Sequence, residues 1–295
     1  MKIAFCFLTL DNLLQPAVWE RFFAAAPPAQ RNIYCHPKYP AQVENSLLKS
    51  RIIDEIVVTS HGDATIVEAA LALYTAAYLD DVENEYFILL SESTIPIVAF
   101  AEIYAALAQC GRRSVIPFWL PAPNSEHYRR LGRTQNPALF TKAFYCHDNW
   151  FVLHRRHIAL LLDRSPLSLF DGVFGADEHY AMNVLVHLKN VATSEVISAK
   201  TTFVNWAEGE QRVNADPLVA QIEMHNWADP EMERAYRSDP KNFKAVVRTA
   251  HPKIYRTLTE ADLAAAKGFW FFRKLAATCN CDLVLPRLGV AAGAG

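Results

Sequence analysis

Lys2 to Thr9 is an almost unbroken apolar run rich in β-formers, the pattern of a strand buried on both faces. Behind it the apolar positions from Val18 to Ala25 recur with a helical period. Asn32 to Cys35 reads as a second short strand, Gln42 to Ser50 as a helix and Ile56 to Thr59 as a third strand. Asp63 to Asp80 is a long Ala/Leu-rich helix, and Tyr86 to Leu90 a central strand that stops abruptly at Ser91-Glu92-Ser93. Such alternation predicts a doubly wound α/β sheet, in which ligands sit beyond the carboxyl ends of the strands. Thr9, Ser60-His61-Gly62 and Ser91-Glu92-Ser93 are therefore expected to line one crevice.

A helix at Phe100 to Cys110 and a strand at Ser114 to Trp119 continue the pattern, followed by the Pro-rich Pro121-Ala122-Pro123-Asn124. Arg129, Arg130 and Arg133 in Glu126 to Arg133 fit either a solvated face or a lid over an anionic ligand, and the solvated face is favoured. Trp150 to Leu162 reads as a strand passing into a helix. His154 and His157 flank the helix start there and lack the carboxylate or cysteine partners of a metal site. In Val173 to Leu185 a loop runs into a helical pattern: Asp177 is placed as the helix cap, which holds Glu178 at the positive end of the helix dipole as a candidate general base. Residues 216–245 are polar with Asp-Pro steps and read as an inserted helix, and 289–295 as a disordered tail of small residues.

At 295 residues and 52% hydrophobic, the chain can bury a large core, as one generous domain or two closely joined ones. A net charge of -2 gives no global attraction to nucleic acid. The six scattered cysteines read as buried, reduced thiols, and Cys279-Asn280-Cys281 lacks the spacing of a zinc site. The opening apolar run ends at Asp11, too short for a signal peptide or membrane span, and there is no Asn-x-Ser/Thr sequon, so a cytoplasmic location is expected. No P-loop or GxGxxG is present. Where a metal-dependent sugar transferase would carry Asp-x-Asp after the central strand, this chain has Ser91-Glu92-Ser93.

Several motifs in order resemble the core-2/I-branching β-1,6-N-acetylglucosaminyltransferase family, with its peptide O-xylosyltransferase and plant glucuronosyltransferase-like members. They are Lys2 to Thr9 with Trp19 to Phe23, Ile33 to Pro37, His61 to Ala69, Phe87 to Pro96, Asn149 to Arg155, Asp177-Glu178-His179-Tyr180, Phe203 to Trp206 and Gly268 to Lys274. The resemblance implies a GT-A-like fold over 1–288, with a nucleotide-binding half at 1–120, an acceptor-binding and catalytic half at 121–288, and the insertion at 216–245. It implies a UDP-sugar donor, a glycan acceptor, inversion, and no divalent metal or other cofactor. The family's catalytic carboxylate falls on Glu178, the acceptor aromatic on Trp206 and the metal-replacing lysine on Lys274. Its second cation is assigned to Arg256, with Arg248 and Arg212 in reserve. His61 stands where animal relatives carry an aromatic against the nucleotide.

Inverting transfer needs a base on the acceptor hydroxyl and fixed cations for the departing diphosphate. Glu178 supplies the first; Lys274, Arg273 and Arg256 supply the second. Leu8, Thr9 and His61 are expected at the nucleotide, and Ser91, Glu92, Trp150, Asp177 and Trp206 in the donor and acceptor pocket. Two rival readings are a non-catalytic glycan-binding protein of the same fold, and a metal-dependent transferase using Asp80-Asp81 or Asp177.

Overall fold

Lys2–Thr9 is a strand over its whole predicted length, and alternate residues feed different cores. Ile3, Phe5 and Phe7 enter one apolar cluster, and Ala4 and Cys6 the other. The computed structural model, which describes residues 1–123, 125–140, 143–214 and 247–289, arranges this strand inside a six-stranded sheet. The spatial order is Arg31–Pro37, Lys2–Thr9, Asn84–Ser91, Val152–His154, Ser114–Val115, Val196–Ile197. The first three strands run parallel, Val152–His154 runs against both neighbours, and the last two are parallel to each other. Helices Pro16–Ala24 and Phe100–Ala108 cover one face through Val18, Trp19, Phe22, Phe100 and Ile103. Thr65–Asp80 and Arg155–Leu161 cover the other through Val67, Leu71, Leu73, Ile158 and Leu161. The fold is thus the expected α/β class, with a mostly parallel central sheet between helices.

A second, three-stranded sheet of Thr202–Val204, Phe271–Arg273 and Ile95–Pro96 begins just past the end of the central strand. It carries Arg273 to the carboxyl end of the central strand, against Ser91. Phe118–Trp119 pairs with Cys146–His147, and Tyr255–Thr257 with Leu275–Asn280.

Three predicted elements come out differently. Ile56 to Thr59 is not a strand: the Val57 amide donates to His36 Nε2 at 2.8 Å, so a side chain takes the role of a ladder partner. Ser114 to Trp119 is broken into two short strands, because Pro117 has no amide to donate. Gln42 to Ser50 shrinks to Ser46–Lys49, capped by the Asn45 side chain and preceded by a 3-10 turn at Pro40–Gln42. The expected insertion at 216–245 and the tail beyond Gly289 lie outside the described residues. All six cysteines are unpaired and buried. Among the described residues, no helix is long and apolar enough to cross a membrane.

Candidate active site

Ser91 closes the central strand, where its hydroxyl lies 3.1 Å from Ser93 Oγ and 2.9 Å from Thr94 Oγ1. It also accepts from Arg273 Nε at 3.2 Å. The Arg273 guanidinium lies 4.1 Å from the centre of the Trp150 ring, which flattens it against an apolar wall. Loss of water pulls the Arg273 pKa down to about 10, with the Glu92 and Asp177 charges opposing that fall. It stays protonated at neutral pH. Two strand ends thus bring Ser91 and Arg273 together, with Trp150 against the guanidinium and the Glu92 and Asp177 charges near it.

The carboxylate loop is built on a different device. Gly175 is left-handed (φ +68) and its amide donates to Gly62 O at 2.7 Å. A Cβ on Gly62, itself at φ +72, would lie 2.1 Å from the Phe174 ring, and one on Gly175 would lie 2.6 Å from Arg130 Nη1. Only residues without side chains allow this approach. The 3-10 turn Ala176–Glu178 that follows delivers Glu178 Oε2 to Arg130 Nη1 at 2.7 Å, with His127 Nδ1 3.9 Å away. The Glu178 side chain is 38% exposed, so the carboxylate is reachable from solvent.

Two expectations about this region are corrected. Arg130 is not on a solvated face: its side chain is 5% exposed, beneath Phe174 (5.5 Å) and near His127 and His179 (3.3 and 3.5 Å), while Arg129 and Arg133 are exposed as read. Asp177 is not a helix cap. It sits inside the 3-10 turn, where its Oδ2 accepts from Asn149 Nδ2 at 2.7 Å, and Tyr180–Asn183 starts without a side-chain cap. Removal from water, then the neighbouring Glu178 charge, pushes the Asp177 carboxyl well above the usual range.

His127, Cys146 and His179 present ligand atoms within 4.8 Å of one another. A divalent cation does not suit them, because Arg130 Nη1 already faces both imidazole nitrogens. Burial also pushes the Cys146 thiol up to about 12, so it is not the thiolate that a cation takes as ligand. His154 instead caps Arg155–Leu161 through Nδ1, as its flanking position suggested.

The remaining predicted residues surround this core. Thr9 is buried at its strand end, where its hydroxyl donates to Asp11 O at 3.0 Å, and Leu8 is half-buried beside it. His61 is exposed and meets Phe174 edge-on at 6.1 Å, which ties it to the carboxylate loop. Lys274 is half-buried, between the amide of Leu275 bonded to Ser93 O and its own carbonyl bonded to the Tyr255 amide. Arg256 is exposed on the adjoining strand. The side chains of Arg212 and Arg248 lie outside the described residues. Val204 pairs in register with Arg273, so Trp206 emerges at the same end, 52% exposed in a turn fixed by Asn205 bonding Tyr255 and Glu208. Arg130, His127 and Asn149 were not predicted for the site. The only signal was that His127 and Arg130, three apart on one helix, share a face.

The chain matches the family model described as "Core-2/I-Branching enzyme" over residues 3–243. No curated protein matches it. Among solved structures it is similar to the galactosyltransferase LgtC in complex with donor and acceptor sugar analogues, at 11% identity and a TM-score of 0.35, covering 84% of this chain and 87% of that one. A likeness that low carries no weight for function. The family match spans most of the chain, from the first strand past the carboxylate loop: the chain belongs to the core-2/I-branching enzyme family and is a glycosyltransferase acting with a sugar donor and a glycan acceptor.

Proposed function

We propose that the chain transfers xylose or N-acetylglucosamine from a UDP-sugar to a hydroxyl of a glycan acceptor, with inversion and without a divalent metal. Glu178 takes the proton from the acceptor hydroxyl as its oxygen bonds to the anomeric carbon. The bond from that carbon to the diphosphate breaks on the opposite side, and the charge passes to UDP. Arg273, with Lys274 and Arg256, neutralises the leaving group as preorganised electrostatics. The observation that carries the reading is Arg273, a half-buried cation fixed to Ser91 at the end of the central strand, in electrostatic contact with the residue before Glu178. Its partner Ser91 opens Ser91-Glu92-Ser93, the stretch where a metal-dependent transferase would carry Asp-x-Asp. Leu8, Thr9 and His61 would face the nucleotide, and Trp206 and Trp150 offer aromatic faces to sugar rings. Six buried, unpaired thiols fit a cytoplasmic setting.

Calorimetry of UDP with and without chelator tests the metal-free assignment: equal affinity is expected, and collapse on chelation sinks it. A panel of UDP-xylose, UDP-N-acetylglucosamine and UDP-glucuronate, followed by thermal shift and UDP release, identifies the donor. Binding without turnover of any donor would favour a glycan-binding protein instead.

A further inference from the structure

Arg130 is the most deeply buried charged group beside the carboxylate, and nothing in the chemistry above uses it. Its Nη1 meets Glu178 Oε2 at 2.7 Å, His127 Nδ1 at 3.3 Å and His179 Nε2 at 3.5 Å, and the guanidinium carbon lies 5.5 Å from the centre of the Phe174 ring. At 5% exposure it offers little to an incoming anion, which argues against a lid over a ligand. Gly175 supplies the room it needs, since a Cβ there would lie 2.6 Å from Nη1 and 3.2 Å from Glu178 Oε2. Burying a guanidinium is costly unless its charge is matched, and Glu178 is a carboxylate in contact with it.

We infer that Arg130 is the positioning residue for Glu178: it anchors Oε2 and so leaves Oε1 to receive the acceptor proton. This rests on Glu178 being the base. A long, partly exposed glutamate otherwise samples several rotamers, and an ångström of misplacement at a proton acceptor costs up to about a hundredfold in rate. His127 and His179 crowd the same Nη1 and hold it at the Glu178 oxygen.

The test is UDP release from the panel donor that turns over fastest, measured as kcat and KM, with UDP affinity by calorimetry. Arg130→Met should lower kcat by roughly 10–10² while donor KM and UDP affinity stay within about twofold. Arg130→Lys keeps the charge without the fork and should recover part of the loss, remaining at least about threefold below the parent. Combined with Glu178→Gln, Arg130→Met should add nothing, because residues acting through one atom are not additive. Should Arg130→Met fail to fold, Arg130→Lys carries the same cycle. A multiplicative loss in the double variant, parental kcat in Arg130→Lys, or an effect on KM and UDP affinity alone would overturn the positioning role and leave the base assignment standing. Parental turnover in Glu178→Gln, or no UDP release from any donor, would overturn both.

Discussion

The two sides of the site are assembled by opposite means. The cation side is the end of regular structure: Ser91 closes a central strand, Arg273 closes a strand of the adjoining sheet, and their 3.2 Å contact follows from where those strands stop. The carboxylate side has almost no regular structure. A left-handed glycine, a three-residue 3-10 turn and a six-residue helix hold Glu178 and Arg130 together by steric exclusion and charge. In the proposed reaction a constant diphosphate would rest on rigid strand ends, whereas the proposed base is carried on loops open to variation.

The largest effect expected is at the carboxylate. Glu178→Gln preserves shape and the bond from Arg130 but cannot accept a proton, so turnover should fall by roughly 10²–10⁴ with UDP affinity intact. On the cation side the pattern should invert. Arg273→Ala removes a fixed charge from the leaving group and should weaken UDP binding by roughly 10–10²-fold, with added salt weakening the parent more than the variant. If both substitutions change kcat and UDP affinity alike, the two sides are one functional unit and the division fails.

The strand end at Ser91 was legible in the sequence because polar residues interrupt an apolar run there, Ser91-Glu92 after Tyr86 to Leu90, whereas Arg273 and Lys274 were singled out by the family resemblance. The Glu178 assignment came from the family resemblance and not from periodicity. Arg130 was misread because nothing local marks which arginine in Glu126 to Arg133 turns inward; that depends on Glu178, 48 positions away. Asp177 was misread because acidic residues before an apolar stretch suggest a cap, and nothing local reveals that the turn is 3-10 and that Asn149 claims the oxygen.

Three left-handed glycines separate the carboxylate side's steric demand from ordinary backbone strain. Gly111→Ala (φ +61, nothing near its Cβ) should cost only the backbone preference, about 1 kcal/mol. Gly62→Ala meets the Phe174 ring and should cost about 1–3 kcal/mol more by overpacking, read as a lower midpoint in urea. Gly175→Ala presses on the end of a long side chain, so its stability loss should be the smaller of the two and its loss of kcat the greater. Equal losses at all three positions would mean that close approach is not what builds the loop.

The smallest effect concerns Asp177, where the two sides meet, and its sign distinguishes the observed role from that of a cap. A helix cap would keep its hydrogen bond on Asp177→Asn and lose only the attraction between its charge and the helix dipole, about 0.3–1 kcal/mol at any pH where the carboxylate is ionised. In the observed turn Asn can still accept from Asn149, and the substitution removes a charge held out of water beside Glu178. Because the folded carboxyl titrates above its unfolded value, its contribution is most favourable in acid and is lost as pH rises through the folded pKa. The variant lacks that loss. Its melting point should therefore gain on the parent's as pH rises, matching or exceeding it above neutrality, with turnover changed by less than about tenfold. The difference between the two proteins is the quantity to read, because the buried His147 and His157, both pushed down to about 4, destabilise parent and variant alike as pH falls below about 6.5. A constant deficit for Asp177→Asn across that range would restore the cap.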